Sequence, residues 1–271
     1  MSPLAILLGT VVGLSLGLTG GGGAIFAVPL LVYGLGVDPR EAIGASLVTV
    51  GATALVGFLQ RWRVGLVEMR TGLLFAAAGM TTAPLGSWLA ARIPEALLLL
   101  LFALLMLVVA VRMWRKAGDV AERHVLIVHA DEPGPVCRRD PQGVLHWNSR
   151  CALLLVGVGL GTGLLTGLFG VGGGFIIVPA LVLFSGMGIQ RAVGTSLLVI
   201  ALISTSGIAS LVIAGRAMPW SIVAWFAGGS LLGLFVGTRL AARLGGPTLQ
   251  RVFAAAILLV ALFIIAQNLA F

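Results

Sequence analysis

Apolar positions in this 271-residue chain run together instead of alternating with polar ones. Uncharged stretches cover 19 residues from Ala42 to Gln60, 21 from Thr71 to Ala91, 16 from Ala96 to Val111, 24 from Ala192 to Gly215, 22 from Ala217 to Thr238 and 20 from Val252 to Phe271. Most approach the ~20 helical residues that cross ~30 Å of hydrocarbon. A transmembrane barrel would need alternating segments of about 10 residues, and these runs do not alternate. The pattern predicts an all-α polytopic membrane protein.

Two further uncharged stretches are too long for one crossing: 37 residues from Met1 to Val37 and 40 from Cys151 to Gln190. As unbroken helix they would extend roughly 55 and 60 Å at ~1.5 Å per residue. The glycine runs Gly20 to Gly23 and Gly172 to Gly174 lie near their middles, where helix propensity is poorest. Each stretch is therefore expected to form a helical hairpin broken at glycine, followed by three transmembrane helices.

The chain also repeats itself. Sliding it by 150 positions superposes Gly9, Gly13 and Gly17 on Gly159, Gly163 and Gly167, then Gly20, Gly22 and Gly23 on Gly170, Gly172 and Gly173. Pro29 meets Pro179, Gly44 meets Gly194, Ser46 meets Ser196, Gly57 meets Gly207 and Gly65 meets Gly215. One inserted residue later, Leu89-Ala90-Ala91-Arg92 falls on Leu240-Ala241-Ala242-Arg243. A register kept over most of each half, with Pro and Arg shared, indicates duplication. The chain divides into a first membrane repeat (1–111), a hydrophilic linker (112–150) and a second membrane repeat (151–271).

Composition agrees with a bilayer as solvent: 59% of residues are hydrophobic and 10% charged, against ~45–50% and ~25% in soluble domains. The net charge of +8 does not indicate nucleic-acid binding, because the cations cap apolar runs, where arginine snorkels and sets orientation. If each long stretch crosses once, the cations divide eleven to six between the two faces; if each returns to its own side, they divide fourteen to three, with Arg40, Arg92 and Arg216 on the poorer face. The positive-inside rule favours the second scheme. It makes the repeats inverted, the linker cytoplasmic and both termini external. Met1 to Thr10 contains no Lys or Arg, so it reads as membrane segment and not as a secretory signal.

The linker holds seven cations, five acids, all three histidines and three prolines. His124, His129, Cys137, His146 and Cys151 fit no familiar zinc spacing, and no metal or cofactor is expected. Cys137 and Cys151 are read as free thiols in a reducing compartment.

Non-helical backbone at membrane depth survives only where it lines protein or a water-filled cavity, so a cavity near mid-membrane is expected. In inverted-repeat carriers, half-helix N-termini face anions at such a place. The candidate substrate site is Gly20, Gly21, Gly22, Gly23 and Ala24 in the first half with Gly170, Gly172, Gly173, Gly174 and Phe175 in the second. Helices starting after Gly23 and Gly174 would offer free N–H groups and about half a positive charge each. Hydroxyls on the next helix of each half join them: Ser46 and Thr49, then Thr195 and Ser196. Thr53, Ser204, Thr205 and Ser206 lie on the same two helices. The glycines spaced by four are read as helix-packing positions.

At these residues the chain resembles the TauE/SafE sulfite exporter family, also called the toluene sulfonate uptake permease family. The resemblance lies in Gly20-Gly21-Gly22-Gly23, Pro29 and Gly44-Ala45-Ser46-Leu47, and in Gly170-Val171-Gly172-Gly173-Gly174, Pro179 and Gly194-Thr195-Ser196-Leu197. It implies a bacterial inner-membrane secondary transporter for sulfur-containing oxyanions or organosulfonates. The expected partners are a small anion and the lipid bilayer, with a homo-oligomer compatible with the sequence. A passive anion pore is one alternative. A membrane-embedded enzyme or assembly factor using His124, His129, Cys137 or His146 is another, although no Walker-type phosphate loop occurs.

Overall fold

A computed structural model describes residues 2–123, 149–185, 187–215, 219–241 and 246–269. Among them every regular element is helical. The first half contains α1 (Ser2–Thr19), a broken segment, α3 (Pro39–Arg63), α4 (Met69–Ala90) and α5 (Glu95–Arg123). The broken segment comprises a 3-10 turn (Gly22–Phe26), α2 (Ala27–Pro29) and a π turn (Leu30–Gly34). The second half contains α6 (Ser149–Phe169), α7 (Gly174–Ser185), α8 (Ile189–Ile213), α9 (Trp220–Ala241) and α10 (Gly246–Leu269). Five described helices are long and apolar enough to cross a membrane: Pro39–Arg63, Met69–Ala90, Cys151–Phe169, Ile189–Ile213 and Trp220–Ala241. The protein is an all-α polytopic membrane protein.

The surface is built for lipid. Leu7, Leu153, Ile213 and Leu259 all stand exposed. Bundle contacts are made instead by small residues that let backbones approach. A methyl group placed on Gly9, Gly13 or Gly17 of α1 would lie 2.1 Å from Phe226 O, 1.7 Å from Ser230 O or 2.7 Å from Leu234 O. Gly229, Gly233 and Gly237 of α9 return the contact against Ile6, Thr10 and Leu14. Because both sets of numbers rise together, α1 and α9 are parallel. Gly159, Gly163 and Gly167 of α6 meet Phe75, Gly79 and Ala83 of α4 in the same manner. The first helix of each half is thus zipped to the α4 or α9 helix of the other.

Helices α3 and α8 hold equivalent places in the two halves and cross antiparallel: Leu47 meets Gly207, Gly51 meets Ser204 and Gly57 meets Leu197. The broken segment doubles back along α1, since Gly23 abuts Ser15 and Leu16 while Gly34 abuts Leu8. In the second half Gly173 lies against Thr162 and Thr166 of α6. Each interruption is therefore a hairpin tip.

Three local features depart from expectation. The helical turns after the breaks begin at Gly22 and Gly174, one or two residues earlier than Ala24 and Phe175. Helix α5 continues to Arg123 and α6 starts at Ser149, so the ends of the 112–150 segment are helical. Cys151 is disulfide-bonded, which corrects the reading of free thiols. His124, His129, Cys137 and His146 lie outside the described residues.

Candidate functional site

Helices α1 and α6 each end at a glycine whose left-handed backbone strains any other residue type. Gly20 has φ 74° and Gly170 φ 69°, and their amides donate back to Leu16 O (2.7 Å) and Thr166 O (2.8 Å). These are left-handed caps, for which glycine carries no Cβ penalty. They turn the chain back toward the bundle centre. Each tip is then held by the other half: Ser46 Oγ donates to Gly170 O at 2.7 Å, and Ser196 Oγ donates to Gly20 O at 2.6 Å. Two serines related by the duplication thus make reciprocal bonds to two glycines related by it.

Beyond the caps the tips meet. A Cβ on Gly21 would lie 2.4 Å from Gly174 Cα, and a Cβ on Gly174 would lie 2.4 Å from Gly21 Cα. A Cβ on Gly172, which has φ 69°, would lie 3.0 Å from Val50 Cγ1 and from Ile200 Cγ2 and 3.9 Å from Ala24 Cβ. Val50 and Ile200 sit at the middles of the 25-residue α3 and α8, so the meeting point lies at mid-depth. The candidate residues Gly20, Gly21, Gly23, Ala24, Gly170, Gly172, Gly173 and Gly174 are all buried around it. Gly22 opens the 3-10 turn and Phe175 lies in α7; the side chain of Phe175 lies outside the described residues.

Among the described residues, the expected water-filled hollow does not open between Gly21 and Gly174 in this conformation. Backbone lies on backbone at Gly21 and Gly174, which leaves no room for water. Lack of a Cβ on either side is what lets the two chains close so far. A cavity of about 10 Å³, room for roughly one water, lies instead beside the second tip, lined by Arg40, Ile43, Ser87, Ala90, Gly167 and Leu211.

The hydroxyls divide by role. Ser46 and Ser196 are committed to the tips, and Ser196 also contacts Val193 O at 2.8 Å. Thr195 is drawn elsewhere: its Oγ1 accepts from Glu68 N at 3.0 Å and contacts Met187 Sδ at 3.6 Å. Thr53 Oγ1 bonds Thr49 O at 2.7 Å and Ser230 Oγ at 3.0 Å. Thr49 Oγ1 and Ser204 Oγ are fully buried and have no hydrogen-bond partner. Buried hydroxyls normally find one, and among the described residues these two are mid-depth hydroxyls with capacity to spare. Ser204 falls opposite Ala54 in the repeat, so the repeat gave no reason to choose it.

Helices that break on glycine and meet at mid-depth are an arrangement found in multi-pass membrane transporters. The chain belongs within that class to the sulfite exporter TauE/SafE family, whose model matches residues 5–264. Two relatives from Xylella fastidiosa, each described as a probable membrane transporter protein, are 36% and 37% identical over 95% of this chain and 92% of their own. The probable membrane transporter protein YunE of Bacillus subtilis is 27% identical over 83% of this chain and 85% of its own. No solved structure matches the chain.

Proposed function

We infer that the protein moves a small sulfur-containing oxyanion or organosulfonate across the bacterial inner membrane by alternating access. The carrying observation is the mid-depth contact of Gly21 with Gly174. At that point no side chain of either tip interlocks with the other, so nothing bulkier than hydrogen opposes their parting there. The bonds from Ser46 and Ser196 would be exchanged for bonds to the anion as they do so. The substrate would then contact the amides of the broken turns at Gly22, Gly23, Gly173, Gly174 and Phe175, where first-turn N–H groups lack an intrahelical acceptor, whereas Ala24 N already donates to Gly21 O at 3.3 Å. Thr49 and Ser204 would supply neutral donors beside them. Neutral donors hold an anion without a buried cation that would retain it.

The antiparallel crossing of α3 on α8 and the parallel zips of α1 on α9 and α4 on α6 support an inverted duplication. In that arrangement the two halves rock as equivalent bodies around the tips. Arginine distribution supports placing the linker in the cytoplasm and both termini outside.

Thermal unfolding of the purified protein with sulfite, thiosulfate, sulfate and small sulfonates tests the reading. A true substrate at 100 times its Kd raises stability by about 2.7 kcal/mol. In proteoliposomes the same anion should show saturable uptake stimulated by counterflow. Stabilisation by none of these anions would defeat the proposal, and flux without saturation or counterflow would favour a passive pore.

A further inference from the structure

Among the described residues one cation is taken out of water, and the hydrogen bond it makes goes to an amide and not to a carboxylate. Arg61, in the last turn of α3, is only 8% exposed, whereas its neighbours Trp62 and Arg63 are exposed. It therefore turns inward and does not snorkel. Its Nη1 donates to Gln190 Oε1 at 3.1 Å. Its Nε has no partner, and neither does Nε2 of the preceding residue, Gln60. The described ion pair of the protein is elsewhere, between Arg40 and Glu95 at 3.4 Å. Glu68, the acid of the following loop, accepts from Thr71 Oγ1. A buried charge is costly unless it is paired, and among the described residues this guanidinium has donor capacity left for a partner that arrives.

Its position says what arrives. Gln190 lies in the first turn of α8, three residues before Val193, which packs on Gly20, and six before Ser196, which bonds the Gly20 carbonyl. Six residues of helix rise about 9 Å, so the cation stands two turns from the first tip along one helix. The opposite mouth is different. There the repeat places Leu211 where Arg61 stands and Arg40 where Gln190 stands, and Arg40 is exposed and neutralised by Glu95. The fold is pseudosymmetric, but its two ends are electrostatically unequal.

We propose that Arg61, with Gln60 and Gln190, forms an oxyanion-binding station at the α3–α8 mouth, feeding the Gly20 tip. A planar guanidinium beside a carboxamide presents N–H donors in a fork suited to an anion with two or more oxygens. This proposal rests on the anion-transport reading and names the entry residue it lacks. An anionic lipid headgroup carries the same chemistry, and the test separates the two sources.

The experiment titrates sulfite calorimetrically into the full-length protein in dodecyl maltoside, for the natural chain and for Arg61→Gln, Arg61→Lys and Arg63→Gln. Loss of one charge-assisted hydrogen bond predicts about tenfold or greater weakening in R61Q. R61K should be intermediate, because it keeps the charge without the fork, and R63Q should match the natural protein. In flux assays R61Q should raise the half-saturating concentration and leave the saturated rate largely intact, a split that general misfolding does not produce. If R61Q fails to insert, R61K carries the test alone: binding equal to that of the natural chain overturns the station. Sulfite binding by the natural protein with no loss in R61Q overturns the station and leaves the transport reading standing. No binding of sulfite by the natural protein, nor of sulfate or small sulfonates titrated in the same way, defeats the transport reading itself. If Arg61-dependent binding appears only with phosphatidylglycerol vesicles, not with phosphatidylcholine ones, and sulfite does not compete, the residue is a lipid anchor and the proposal falls.

Discussion

Ser46 and Ser196 each spend a proton on the glycine carbonyl that ends the other half's first helix. Replacing either by alanine leaves a buried carbonyl short of its donor, and thermal unfolding of Ser46→Ala or Ser196→Ala should show about 1 kcal/mol lost. Gly20→Ala should cost more. It combines about 1–2 kcal/mol of left-handed strain with a methyl 2.4 Å from Val193 Cγ1; a melt indistinguishable from that of the natural protein would contradict the cap assignment. Ser46 and Ser196 were legible because the duplication pairs them, and so were the glycines. What each serine bonds was not legible, since the partner lies more than 120 residues away. Ser204 escaped for the converse reason: the repeat puts Ala54 at its equivalent. Thr195 was selected by its place beside Ser196, yet its hydroxyl is turned toward Glu68 and Met187.

Helices were the most readable level. Uncharged run lengths located α3, α4, α8 and α9 to within a few residues, and over-long runs located both hairpins. Partner choice was not readable, because lipid tails are as apolar as leucine and hydropathy says nothing about which helix touches which. The glycines spaced by four supply that choice after the fact, through close approach of α1 to α9 and of α4 to α6. Gly13→Leu is expected to part α1 from α9, since even a methyl group would sit 1.7 Å from Ser230 O. Overpacking of this kind costs about 1–3 kcal/mol or more, visible as a lower melting temperature in detergent. Gly228, on the same α9 helix with nothing within 4 Å of an added methyl, is the control: Gly228→Ala should melt like the natural protein. The 3-10 and π turns of the first half were invisible in sequence, because Pro29 and Pro179 are equivalent positions and the latter sits within regular α7.

At the scale of the molecule, helix directions support two halves of opposite sense, with α5 packed on α10 as an outer pair. The proposed orientation is open to a direct check: a protease site inserted at Gly143 should be cut in inside-out vesicles and spared in intact cells, and the reverse pattern would invert the assignment. What sequence could not reveal was the state of the centre. Glycine runs told of backbone exposed at mid-depth, but the same missing side chains that make room for an anion also let two tips close on each other. Transport therefore requires those tips to separate. The most direct measurement places a cysteine at Thr49, fully buried here with its hydroxyl unpartnered, in a chain whose own Cys137 and Cys151 are replaced by serine. Under conditions that support transport, a membrane-impermeant thiol reagent should label Thr49→Cys, and sulfite or the best-binding sulfonate should protect it. Absence of labelling from either side of the membrane, with transport intact, would contradict the account.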